Sequence, residues 1–179
     1  MRLKLTFILL LCMGVISAIN LYAFPPQQET VEPVNWRELI PFLIDIPGFE
    51  KEGEPDGESV SMMNYKWSKV SQYYVAEGDG DKKLTLEIVD SAMVSMALQG
   101  FKAMMGMEVD TSEESIKQIN INGYPALEIY RYHSKSAELN ILIENRFLVR
   151  LEGDDFEDTS QLKNISKNID LKGIADLAK

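Results

Sequence analysis

Residues 116–151, IKQININGYPALEIYRYHSKSAELNILIENRFLVRL, alternate apolar and polar side chains in four short runs separated by turn residues. No other stretch narrows so far what the chain can fold into. Alternation with a period of two suits strands that bury one face, so the four runs predict an antiparallel meander. Asn122-Gly123 supplies two residues that accept positive φ between Ile119 and Ile121 on one side and Leu127 and Ile129 on the other, which predicts a tight reversal. Pro125 cannot donate to a ladder and belongs at the first residue of the next strand or on an edge.

Pairing register follows from charge and phase. A four-residue loop over 133–136 sets Arg131 opposite Glu138, places Tyr130 on one face with Leu139, and brings Leu127 across from Leu142. The opposite charges favour that register. At the next reversal, a loop of Glu144, Asn145 and Arg146 aligns Ile143 with Phe147 and Ile141 with Val149, whereas a two-residue loop would set Ile141 against Arg150. The expected core face is Tyr130, Tyr132, Leu139, Ile141, Ile143, Phe147, Val149 and Leu151. The reverse face holds Leu127, Ile129, Arg131, Asn140, Leu142, Leu148 and Arg150. Half of that reverse face is apolar, so helices on both sides of the sheet, or a partner on one, are expected.

Ahead of the meander, Trp36, Leu39, Ile40 and Leu43 have the spacing of one helical face, with Asn35 as N-cap and Pro41 as a limit on length. Gly53, Pro55 and Gly57 predict only a short strand from Phe49. Residues 65–75 are aromatic and β-branched, but their alternation changes phase between Trp67 and Val70, which predicts a bulge at Ser68-Lys69. Residues 77–82 resemble a fragment of a calcium loop without its spaced ligands and read as a hairpin turn, followed by a strand carrying Leu84, Leu86 and Ile88. Asp90-Ser91 then caps a helix running to about Gly106, whose polar residues Ser91, Ser95, Gln99 and Lys102 form one narrow stripe. After the meander, the acids of residues 154–160 suit a helix start, Leu162, Ile165 and Ile169 mark a buried helical face, and Asp170 caps a last turn.

Arg2 and Lys4 precede an apolar run over residues 5–19, and Ala23 is a small residue at a plausible cleavage point. The pattern predicts a signal peptide over residues 1–23, a leader over 24–34 and one domain over 35–179; an uncleaved anchor is the alternative. Cleavage would remove the only cysteine together with Arg2 and Lys4. It would take 18 basic residues to 16 against 28 acidic ones, a net charge of −12. Such a chain is exported, periplasmic or extracellular, holds no stable membrane span after processing, and is electrostatically unsuited to nucleic acid or anionic lipid.

Few residues carry chemistry. His133 stands alone in a predicted loop. Glu128 falls on the core face beside Tyr130 and Tyr132, where desolvation would raise its pKa as in catalytic carboxylates, unless a strand-end position lets it reach water or a lysine. The mature chain would keep seven methionines, among them Met93, Met96, Met104 and Met107 on the long helix. Thioethers suit Cu(I), and they equally suit irregular cores and adaptable contact surfaces.

The element order, together with Ile121-Asn122-Gly123-Tyr124-Pro125-Ala126 and Arg146-Phe147-Leu148-Val149-Arg150-Leu151, resembles the Mog1/PsbP-like proteins, and more broadly small exported bacterial proteins. The resemblance implies an α+β fold: an antiparallel meander sheet of about six or seven strands flanked by helices in an α/β/α sandwich-like arrangement. It implies an accessory or assembly role and carries over no functional residue; no cofactor is expected. The expectation is a non-catalytic binding or accessory protein whose methionine-bearing helix meets an unknown protein, an apolar ligand or a second copy. A methionine-based copper-binding protein, or an enzyme using Glu128 and its neighbouring tyrosines, are the alternatives.

Overall fold

The computed structural model divides the chain into Met1–Thr30 and Val31–Lys179. It describes residues 31–62, 65–92 and 96–179. The segment expected to be a signal peptide, most of the expected leader, Cys12, and Met93, Val94 and Ser95 of the expected long helix lie outside the described residues. The side chain of Met96 does too.

Eight strands form one antiparallel sheet: β1 (Phe49–Met62), β2 (Tyr65–Ala76), β3 (Asp79–Asp90), β4 (Val109–Asp110), β5 (Glu114–Ile121), β6 (Tyr124–Arg131), β7 (Ser136–Ile143) and β8 (Phe147–Asp154). Their order across the sheet is β1-β2-β3-β8-β7-β6-β5-β4. Two meanders therefore meet at the β3·β8 pair. The described residues also form four helices: α1 (Trp36–Leu39, continued by a 3-10 turn over Ile40–Phe42), α2 (Met96–Met104), α3 (Ser160–Ser166) and α4 (Leu171–Asp176).

The larger core lies on one face. Leu84, Leu86 and Ile88 of β3, Leu139, Ile141 and Ile143 of β7, and Phe147, Val149 and Leu151 of β8 are buried there beneath Leu39, Leu43, Leu162, Ile165 and Ile174. These helical residues come from α1, α3, α4 and the turn after α1, so three of the four described helices share this side. Asn35 caps α1 with a reciprocal Glu38 bond, and the Asp170 side chain accepts from Gly173 N at the start of α4. On the opposite face a smaller core joins Leu98 and Phe101 of α2 to Leu127, Leu142 and Leu148, with Val89, Met104 and Met105 at its rim. The half-apolar reverse face is thus covered by α2 at one end.

Asn122 (φ 52°) and Gly123 (φ 95°) make the expected two-residue turn, and Ile121 pairs with Tyr124 across it. Ile141 faces Val149 and Ile143 faces Phe147, as the three-residue loop requires. The β6·β7 register differs from expectation by two residues: Arg131 faces Ser136 and Tyr130 faces Ala137, so the loop spans residues 132–135. Arg131 does reach Glu138, at 3.4 Å, but diagonally. A long side chain bridges a diagonal neighbour as readily as a direct one, so the charge pair could not select the register. A shift of two preserves which face each side chain occupies, and the core survives it. Tyr132, expected in the core, falls in the loop and is 42 % exposed.

Two further corrections concern the first hairpin. Instead of a short strand, β1 runs for 14 residues. Its irregularity lies between Glu52 and Asp56, where three residues oppose Gln72 alone. An outermost strand tolerates Pro55 at such a bulge. The Gln72 amide donates to the Glu52 and Gly53 carbonyls, both at 3.3 Å. The bulge expected at Ser68-Lys69 is absent, because β2 pairs with β3 without interruption from Ser68 to Val75. The change of phase is absorbed by what is buried: Ser68 and Gln72 join Val70 and Tyr74 on the core side, while Trp67 stays on the other face beneath the Lys69 ammonium, 5.9 Å from its ring centre.

Candidate functional site

The sequence-derived candidates gather where β5 and β6 pass beneath the connection from β8 to α3. Ser115 faces Tyr130 and Lys117 faces Glu128 across the β5·β6 pair. With Tyr132, Glu157, Asp158 and Thr159 they line an open cleft of about 220 Å³. The Tyr130 hydroxyl donates to the Phe156 carbonyl at 2.9 Å, and the Tyr132 ring stands edge-on to it, centroids 5.4 Å apart at 81°. The Tyr132 hydroxyl donates to Asp110 Oδ1 at 3.2 Å. Burial and then the Glu157 charge push the Tyr130 phenol above its ordinary range, while Lys135 pulls it down.

Glu128 is held from one side. Its Oε2 accepts from Thr159 Oγ1 at 3.0 Å and from Lys163 Nζ at 2.8 Å. These two bonds fasten the start of α3 to β6. Of its two environments weighed from the sequence, a lysine within reach is the one present. Periodicity marks which face of α3 is buried but does not say which strand Lys163 meets, so neither Lys163 nor Thr159 was identifiable beforehand.

His133 is exposed in the β6–β7 loop. Residues 77–82 form the β2–β3 hairpin, with Gly78 at φ 78°. Among the described residues no group of three His, Cys, Asp or Glu side chains could hold a metal ion, and no helix is long and apolar enough to cross a membrane.

The methionine positions separate. Met104 is half-buried at the rim of the α2 core and Met107 is 48 % exposed beyond the helix end. Gly106, with φ 83°, turns the chain out of α2, and its N–H donates to Gln118 Oε1 of β5 at 2.8 Å.

A second polar cluster was not anticipated. Asp90, fully buried at the end of β3, accepts four hydrogen bonds: Arg146 Nε (2.9 Å) and Ala92 N (2.9 Å) at Oδ1, Arg146 Nη2 (2.7 Å) and Val34 N (2.8 Å) at Oδ2. Arg146 Nη2 also donates to the Glu32 carbonyl at 3.1 Å. This clasp ties residues 32–34 to the β7–β8 turn. Every lone pair it offers is used, which marks it as structural.

Comparison with family models, with curated proteins and with solved structures returned no match.

Proposed function

We propose that the protein is an exported, non-catalytic binding or accessory protein that presents the methionine-bearing side of α2 to an apolar partner. The observation that carries this reading is the position of α1. From the sequence, Trp36, Phe42 and Leu43 of the leading helix could have covered α2 from within the chain. Instead all three pack with the larger core, on the opposite side of the sheet. Among the described residues, Ala103 and Met107 are left exposed on and just beyond α2, beside half-buried Met104 and Met105. Methionine side chains repack against partners of varied shape, which suits such a surface. Engagement of Glu128 by Lys163 and Thr159 gives it a structural role, which supports the non-catalytic reading. The helices on both faces of the sheet suit the α/β/α arrangement of the accessory proteins the sequence resembles.

Site-specific photocrosslinking in the expressing cell tests the proposal. A photoreactive residue at Met107 should give a discrete adduct that Ala103→Glu abolishes, while the same residue at Lys82 should not. Absence of an adduct at 107, or identical adducts from both positions, would overturn the reading.

A further inference from the structure

The two edges of the sheet are unlike. One ends in β4, two residues long; the other ends in β1, 14 residues long. Short strands, charges, prolines and bulges are the usual means of keeping other chains off an edge. Here Pro55 and the bulge occupy only the middle of β1. Beyond them Asp56 to Met62 pair with Ser71 to Tyr65 without interruption, which gives seven residues of regular edge. No backbone hydrogen bond among the described residues reaches the outer side of that run.

Four acids of β1 share one face, while its one base, Lys51, pairs with Tyr74 on the other face and holds Asp45 at 2.7 Å. Glu50 pairs with Val75, Glu52 with Tyr73, Asp56 with Ser71 and Glu58 with Lys69, so these four acids share the face that carries Trp67 and Tyr73. All four are exposed. Glu58 has Lys69 at 3.1 Å, whereas Glu50, Glu52 and Asp56 have no ion-pair partner among the described residues. Tyr73, in their midst, is 48 % exposed. A second copy added edge to edge would bring these acids against their own equivalents, and like charges on neighbouring strands repel.

We infer that the outer edge of β1 receives an extended basic segment of another protein, which adds to the sheet as a ninth strand. Backbone pairing along residues 56–62 would supply affinity. Lysine or arginine at alternate positions would fall on the acidic face, its charge near Glu52, Asp56 and Glu58 and its aliphatic stem over Tyr73. The acids then select the partner: they repel a second copy and favour a cationic strand.

The test uses the protein as purified from the expressing cell, labelled with ¹⁵N, and three nine-residue peptides. One alternates lysine with threonine, one replaces the inner threonines of that peptide by proline at equal charge, and one alternates glutamate with threonine. The lysine–threonine peptide is expected to bind and to shift the amide signals of residues 56–62 above all others, and the other two to bind at least about tenfold more weakly. Equal binding of the proline peptide would show charge attraction without strand addition and would overturn the inference. So would shifts centred elsewhere, absence of binding, or edge-to-edge self-association. Glu52→Lys with Asp56→Lys and Glu58→Lys should weaken the lysine–threonine peptide by about tenfold, since exposed charge pairs contribute modestly each. Unchanged binding by the folded triple variant would overturn the charge selection. If that variant does not fold, the peptide comparison on the unaltered protein decides.

Discussion

Removing the Arg146 guanidinium should be among the most damaging single changes available outside the apolar core. Arg146→Met keeps much of the aliphatic stem over the Phe147 ring, 4.9 Å from which the guanidinium now sits, and deletes both bonds to Asp90. What remains is a carboxylate with no exposed surface, held by two backbone N–H groups where it had four donors. Breaking a buried pair by deleting one partner costs about 3–5 kcal/mol, most of it the uncompensated charge left behind. For a domain of this length each kcal/mol moves the midpoint by about 2–4 °C, so a fall of roughly 6–20 °C is expected. Urea unfolding followed by circular dichroism measures the change, and Arg131→Ala supplies the comparison. Arg131 also contacts a well-buried acid, Glu138, but is itself 42 % exposed, and Glu138 keeps Arg150 nearby and a bond from Asn140. Its loss should cost about 1 kcal/mol or less. A change below about 1 kcal/mol for Arg146→Met, or one no larger than that of Arg131→Ala, would refute the view that the clasp holds a buried charge.

Gly57→Ala should destabilise by about 1–3 kcal/mol, because a Cβ there would overlap the Trp36 ring packed on β1; denaturant unfolding measures the loss and Trp fluorescence should shift with it. Tyr74 is buried and donates to the Ile44 carbonyl at 2.7 Å, and burial, with Asp45 second, pushes its phenol far above the usual value. The unfolded chain therefore releases that proton first, so this group's contribution is complete below about pH 10 and lost as pH rises further, at up to about 1.4 kcal/mol per pH unit. Thermal midpoints recorded from pH 9 to 11 should fall, and Tyr74→Phe should flatten the fall while lowering the starting point. Glu128→Gln should leave the fold intact at a cost of about 1 kcal/mol, seen as a small drop in denaturation midpoint, since Lys163 is a third exposed and can rehydrate.

Local periodicity determined a great deal by itself. Alternation over residues 116–151 specified which side chains of β7 and β8 face the core, Asn122-Gly123 specified its turn, and Asn35, Asp170 and the Leu162, Ile165, Ile169 spacing specified helix starts and a buried stripe. Each of these depends on residues within a few positions of one another, where φ/ψ preference and the pitch of the element leave one outcome. What only tertiary structure decided was which distant segments meet. Alternation tells faces apart but is blind to a slip of two, so the β6·β7 register went to backbone pairing even though Arg131 and Glu138 are in contact. The phase change in β2 was met by burying Ser68 and Gln72, with the irregularity moved to β1, whose outer position tolerates Pro55 and a gap in the ladder. Glu128 became an anchor for α3, and Asp90 the centre of a clasp with Arg146, through partners 35 and 56 positions away in the chain. No pattern within either segment encodes such a meeting, because it arises only when the sheet closes β3 against β8 and lays α3 across its face.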